Sequence, residues 1–127
     1  MSGGNTFYLL QEMKKTGTDE IIAEEVNNGK LYIGESAGAI VVSENIKYAG
    51  LMDDKREYIS ELKNLNSLNL VDFYTVPHYG CSPFEESTEK IMNVYSSLNL
   101  IPVTNNQAIL VDEDKINVLE IKKQKLF

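Results

Sequence analysis

Apolar residues recur at helical spacing in the first thirty positions of the chain. Asn5 or Thr6 can cap a first helix, and Gly17 can close it in a left-handed conformation. Thr18 can begin a second helix, which ends at Asn28-Gly29. The pattern therefore predicts two short consecutive helices, each with one apolar face.

Short apolar runs bounded by turn residues follow these helices and are typical of buried strands. Leu31 to Ile33 is the first, and Phe73 to Val76, stopped by Pro77, is the second. Three further strands are predicted at 100–103, 107–111 and 116–121, with a hairpin turn between the last two.

Helices are predicted between these strands. One follows Gly38 and covers 39–46, and another begins at Pro83 and runs to about Leu98. The intervening stretch 44–68 is interpreted as loop with one short helix. This alternation, with its terminal hairpin, predicts an α/β layered fold with a mostly parallel sheet.

Composition is that of one soluble domain over residues 1–127, with 43% hydrophobic and 24% charged residues. The net charge of -7 argues against a nucleic-acid surface, which needs clustered Lys and Arg. No apolar run approaches the length of a membrane span and no signal peptide is visible, so we expect no membrane partner and a cytoplasmic location. Cys81 stands alone and ligand spacing is absent, so no metal site is expected from the residues.

The segment Gly34-Glu35-Ser36-Ala37-Gly38 matches the G-x-S-x-G nucleophile elbow. In that motif a sharp turn from strand to helix exposes the serine hydroxyl above the sheet, and small flanking residues allow the turn. The helix that follows would aim backbone N–H groups at a developing oxyanion. The alternative is a tight strand-to-helix turn without chemistry.

His78 is the only histidine of the chain and follows a predicted strand, as Ser36 does. Ligands of parallel sheets bind at the carboxyl ends of strands. Because a serine hydroxyl needs an adjacent base to act as a nucleophile, His78 is the only imidazole that could activate Ser36. A structural or merely exposed histidine is the other interpretation.

Two further features of the sequence are candidates for the same site. Cys81 is a rival nucleophile but lacks an elbow, so it is interpreted as a loop or packing residue. Gly3-Gly4-Asn5 before the first helix could hold an anion, yet it lacks the lysine of a phosphate-binding loop. We interpret it as a second source of oxyanion N–H groups.

Taken in order, the segments Ser2 to Phe7, Leu31 to Ala39 and Pro77-His78 resemble the peptidase E (aspartyl dipeptidase) and cyanophycinase group of serine peptidases. The resemblance implies a flavodoxin-like α/β fold, related to class I glutamine amidotransferases, that needs no metal or cofactor. It also implies that Ser36 is the nucleophile, His78 the base, and Gly4 and Ala37 the backbone donors to the oxyanion.

Family members carry additional strands before the position that Met1 occupies, so the resemblance implies that 1–127 is the C-terminal two thirds of an N-terminally truncated family domain. The strand at Leu31 to Ile33 would then lose neighbours and expose apolar surface. We expect a homo-oligomer or a second chain that supplies the missing strands.

The third member of the triad departs from the family pattern. The family acid position corresponds to Asn105, which can orient an imidazole but cannot offset the charge of an imidazolium. Asp53 and Asp54, after the elbow helix, are the alternative acids that the resemblance suggests.

The expected activity is hydrolysis of short peptides through an acyl-enzyme on Ser36. Ser87 stands where the family places the arginine that binds the substrate aspartate, and Glu85, Glu86 and Glu89 surround it. An aspartyl preference is therefore not expected. Two alternatives stay open: a catalytically impaired remnant or assembly subunit that keeps the family fold, and a small-molecule esterase.

Overall fold

The computed structural model of the chain describes residues 1–53 and 62–122. Its helices are α1 (Thr6–Thr16), α2 (Thr18–Asn27), α3 (Ala37–Ile40) and α4 (Glu85–Val94), with a 3₁₀ helix at Lys47–Leu51. Its strands are β1 (Tyr74–Val76), β2 (Leu100–Pro102), β3 (Gln107–Asp112) and β4 (Lys115–Glu120).

The first two helices form where their caps predict them. The Asn5 side chain accepts hydrogen bonds from the backbone N–H groups of Phe7 and Tyr8, which have no partner inside α1. Gly17 is left-handed with φ 73° and donates its N–H to the carbonyl of Met13. These contacts end α1 and let α2 begin at the next residue.

The strands form two separate pairs. β1 and β2 are parallel, with Tyr74 opposite Leu100 and Val76 opposite Pro102. β3 and β4 form the predicted antiparallel hairpin. The α/β class is confirmed, and the parallel sheet holds two strands within the described parts of the chain.

The predicted strand at Leu31 to Ile33 is wrong as a strand. Among the described residues, the partner of its backbone is Met1, whose amino group donates to the Ile33 carbonyl and whose carbonyl accepts from the N–H of Glu35, just beyond the segment. Leu31 is 84% exposed and Ile33 72% exposed, so the apolar run is not buried. A strand needs a neighbouring strand to satisfy its backbone N–H and carbonyl groups, and the described residues provide only Met1 as a partner.

Two predicted helices are shorter than expected. The helix predicted at 39–46 ends at Ile40, because the carbonyls of 41–43 accept hydrogen bonds from the N–H groups of 68–70 instead of continuing the helix. The helix predicted from Pro83 begins only at Glu85, after a turn in which Phe84 N–H donates to the Cys81 carbonyl. It ends at Val94, where the backbone turns toward β2.

The core lies between the helices and the parallel pair. Its fully buried side chains come from α1, the elbow helix, the 3₁₀ helix, β1 and α4: Phe7, Leu10, Val41, Tyr48, Val76 and Ile91. The Tyr48 hydroxyl donates to the Thr75 carbonyl at 2.6 Å, and burial raises its pKa. Across the described ranges, no helix is long and apolar enough to cross a membrane.

Candidate active site

Ser36 lies at the sharp turn that leads into α3. Its backbone has φ 54° and ψ −115°, a combination that non-glycine residues rarely adopt. A Cβ placed on Gly34 would overlap the Gly38 carbonyl oxygen, so only glycine allows this close approach. The positive φ at Ser36 and the close glycine contact are features that the G-x-S-x-G motif predicts for this turn.

The side chain of Tyr32 is hydrogen-bonded to the same turn. Its hydroxyl donates to the Gly38 carbonyl at 2.6 Å, and burial raises the pKa of Tyr32 to about 12. The hydroxyl therefore keeps its proton at neutral pH and remains a donor. The sequence pattern marked Tyr32 only as an apolar strand residue.

His78 reaches Ser36 from the end of β1. Its backbone is left-handed, with φ 61°, and its carbonyl accepts from Cys81 N–H at 2.9 Å. The His78 Nε2 atom lies 3.0 Å from the Ser36 Oγ. This distance is a hydrogen bond between a candidate nucleophile and a candidate base.

Asn105 lies beyond the end of β2, the strand that pairs with β1. Because the two strands are parallel, their carboxyl ends share one edge, and the Asn105 Oδ1 atom lies 2.7 Å from the His78 Nδ1. An amide oxygen only accepts, so this contact requires a proton on Nδ1. The Nε2 lone pair is then free to accept the Ser36 hydroxyl proton.

The Gly3-Gly4 turn packs directly on the serine. A Cβ placed on Gly3 would lie 2.9 Å from the Ser36 Cβ and 3.3 Å from its Oγ. Within residues 1–53 and 62–122, neither Gly4 N–H nor Ala37 N–H donates a hydrogen bond. Both candidate oxyanion donors are therefore uncommitted within that part of the chain.

The Asp53 carboxylate lies at the start of α1, where it binds Thr6. Its Oδ2 atom accepts from the Thr6 N–H at 2.9 Å and from the Thr6 hydroxyl at 2.5 Å. It therefore holds the first turn of α1, which follows the Gly3-Gly4 turn. Asp54 lies outside the described residues, and the described hydrogen-bond partners of the His78 imidazole are Ser36 and Asn105.

Removing the Asp53 carboxylate is expected to destabilise the chain. Thr6 is fully buried, so Asp53→Ala leaves its N–H and hydroxyl without their acceptor, at a cost of roughly 1–3 kcal/mol. Urea denaturation measures the change in the free energy of unfolding. Asp114→Ala, at an exposed turn, is the matched control and should change it little. Equal stability of the two variants would contradict a structural role for Asp53.

The surroundings of the histidine include the start of α4. Ser87 donates its hydroxyl to the Phe84 carbonyl at 3.2 Å, and Glu85, Glu86 and Glu89 are exposed. Cys81 is half-buried, and its Sγ accepts from the Asn105 N–H at 3.4 Å. No group of three or more metal-ligating side chains occurs in the described ranges.

Comparison with known proteins identifies the family of the chain. The model of peptidase family S51 matches residues 1–119. The chain belongs to peptidase family S51. The family predicted from the sequence segments is thereby confirmed.

Individual members of the family are also similar to this chain in sequence. An uncharacterized peptidase of Listeria innocua is 50% identical over 117 residues, which cover 91% of this chain and 56% of the relative. A peptidase E of Shewanella sp. (strain ANA-3) is 43% identical over 79 residues, 62% of this chain and 31% of the relative. This S51 chain thus spans about half the length of the first curated relatives it matches.

A solved structure extends the likeness to the fold. A crystal structure of a Listeria monocytogenes protein provisionally named as a peptidase E superposes with a TM-score of 0.87 at 45% identity. The superposition covers 95% of the S51 chain and 58% of the solved one. The described elements therefore share the arrangement found in that protein.

Proposed function

We propose that the chain carries the catalytic centre of a serine peptidase that hydrolyses short peptides. One observation carries the proposal: Ser36 Oγ, His78 and Asn105 form a continuous hydrogen-bonded chain, with distances of 3.0 and 2.7 Å. Its members come from the elbow and from the ends of two parallel strands. Membership in family S51 supports the same reaction class.

The arrangement is suited to acyl transfer. The Ser36 Oγ attacks the peptide carbonyl while His78 Nε2 takes its proton, and the oxyanion forms near the N–H groups of Gly4 and Ala37. The C–N bond then breaks as His78 returns the proton to the leaving amine, which leaves an acyl ester on Ser36. Water, activated by the same imidazole, attacks the ester and releases the acid.

Labelling of the chain with a fluorophosphonate tests the proposal. The hydroxyl displaces fluoride from phosphorus, and only an activated serine reacts quickly. We expect a single label, which peptide mass mapping places on Ser36. An unlabelled chain that is folded by circular dichroism, or a label on another serine, would contradict the proposal.

The acidic start of α4 bears on the substrate. Glu85 and Glu86 directly follow Phe84, whose ring lies against His78, and they put two negative charges in the first turn of α4. Carboxylates there disfavour an acidic substrate side chain. The proposed substrates are therefore short peptides without an aspartyl preference.

A second candidate is a family member with impaired catalysis that serves in an assembly. The observation in its favour is Asn105, a neutral side chain in the place of an acid. An esterase acting on small molecules would use the same elbow, and no separate contact favours it.

We also propose that the chain completes a flavodoxin-like layered sheet by association. Leu31 and Ile33 are exposed, and within the described part of the chain the backbone of their segment bonds to Met1. The hairpin exposes further apolar residues, among them Leu110, Val118 and Leu119. Exposed apolar sets of this kind mark surfaces covered by another chain, either a second copy or one that supplies further strands.

Sedimentation velocity checks this association. The chain alone is expected to form dimers or larger species, because the exposed apolar side chains gain by leaving water. Leu31→Lys with Ile33→Lys should shift it toward monomer. Ile21→Lys, on the exposed face of α2, is the control and should not. A stable monomer of the unaltered chain would contradict the proposed assembly.

A further inference from the structure

The imidazole of His78 has a third neighbour, which the sequence did not single out. The ring of Phe84 is stacked on it, with ring centroids 5.0 Å apart and an angle of 23° between the planes. Phe84 is half-buried and precedes the first residue of α4. Its ring therefore covers one face of the candidate base.

The backbone of Phe84 is fixed on both sides. Its N–H donates to the Cys81 carbonyl at 2.7 Å, and Cys81 N–H donates in turn to the His78 carbonyl at 2.9 Å. The Phe84 carbonyl accepts from the N–H and the hydroxyl of Thr88, at 2.9 and 2.7 Å. A short hydrogen-bonded turn and the first turn of α4 thus hold the two rings together.

The two imidazole hydrogen bonds leave one motion free. One uses Nδ1 and the other Nε2, and the N–H or lone pair of each ring nitrogen lies in the ring plane, so the two bonds fix the line between Asn105 and Ser36. Rocking of the ring about that line preserves both distances while it tilts the Nε2 lone pair away from the serine proton. Hydrogen bonds weaken as this alignment is lost.

We propose that Phe84 is a positioning residue that fixes the plane of the His78 imidazole for proton transfer from Ser36. The proposal rests on the function proposed above. A stacked ring opposes the rocking motion because tilting would force the rings into contact at one edge and separate them at the other.

The same ring compensates for the neutral Asn105. His78 gains a positive charge when it takes the serine proton, and its described hydrogen-bond partners carry no carboxylate. The face of an aromatic ring carries a partial negative charge and attracts a cation within about 6 Å of its centroid. Phe84 thus favours the charged form that arises during attack.

The lone histidine makes the proposal measurable by proton NMR. Ring protons of His78 give the only histidine signals of the chain, and the stacked Phe84 ring should shift them upfield. Phe84→Leu and Phe84→Met should move these signals downfield, and Phe84→Tyr, which keeps the aromatic face, should not. Tyr79→Leu, an exposed aromatic residue next to His78, is the matched control and should leave the upfield shift in place.

Hydrolysis of an activated ester supplies the functional readout. Phe84→Leu is expected to lower kcat about 10-fold with KM unchanged, the size expected when a base is misoriented and loses an aromatic neighbour. Phe84→Tyr should restore kcat. Unchanged kcat in both Leu and Met variants, or unchanged histidine shifts, would overturn the role of Phe84.

The two readouts separate this inference from the proposed function. If the unaltered chain hydrolyses no ester and takes no fluorophosphonate label, the proposed function fails. The histidine shifts still decide whether Phe84 orders the imidazole. If the unaltered chain is active and the Phe84 variants match it, the proposed function stands and the inference fails.

Discussion

Ester hydrolysis is expected to fall at least about 10³-fold in a Ser36→Ala variant, because no covalent acyl intermediate can then form. The Ser36 Oγ is the atom that faces His78 Nε2 at 3.0 Å, and the strained elbow backbone presents it there. Initial rates with an activated ester measure the loss. Ser96→Ala, an exposed serine distant in sequence from the elbow, is the control and should retain full activity.

The same experiment includes His78→Ala and the double variant. A nucleophile and its base act as one unit, so removing both is expected to cost about as much as removing either one. Losses that multiply in the double variant would show that Ser36 and His78 act independently. A Ser36→Ala variant with the activity of the Ser96→Ala control would remove Ser36 from the reaction altogether.

Local signals in the sequence predicted the elements that depend on local contacts. Asn5 caps α1 and Gly17 ends it, as their residue types indicate, because capping involves only neighbours along the chain. The hairpin of β3 and β4 also forms around a turn that the sequence marks. The segment Leu31 to Ile33 does not form a strand, because a strand depends on partners that its own residues cannot specify.

The residues of the candidate site also differ in whether a local sequence pattern predicted them. Ser36 and His78 were predicted from a G-x-S-x-G motif and from positions just after predicted strands, both of which are local patterns in the sequence, although the strand predicted before Ser36 does not form. Asn105 came from the family resemblance. The contact of Asp53 with Thr6 spans 47 positions, and no sequence pattern indicated it.

The contact between Phe84 and His78 could not be predicted from the sequence. The residue stands six positions after His78, beside a predicted helix start, and its type is ordinary for a packing residue. Its stacking depends on the turn at 78–84, where backbone hydrogen bonds fold the chain back on itself. The role of Tyr32 could not be predicted from the sequence for the same reason, because its hydrogen bond to the Gly38 carbonyl depends on the folded turn at 34–38.

Replacing Asn105 by aspartate is expected to raise the rate of ester hydrolysis. Asn105 Oδ1 accepts from His78 Nδ1–H at 2.7 Å, so a carboxylate there keeps the hydrogen bond and adds a negative charge beside the imidazolium formed during attack. The reverse change in a known serine triad lowers turnover about 10⁴-fold, so a gain of about 10²- to 10⁴-fold is expected. The rate constant for an activated ester, measured at neutral pH, gives the gain.

Controls for this gain come from neighbouring and rival residues. Asn106→Asp adds the same charge one position further along and should change the rate little, since the described hydrogen-bond partners of the imidazole are Asn105 and Ser36. Ser36→Ala must cancel the gain, which shows that it passes through the nucleophile. Asp53→Asn should leave the rate nearly unchanged, because the Asp53 carboxylate binds Thr6. If Asp53→Asn abolishes hydrolysis while Asn105→Asp has no effect, the acid of this site is Asp53, and Asn105 only orients the imidazole.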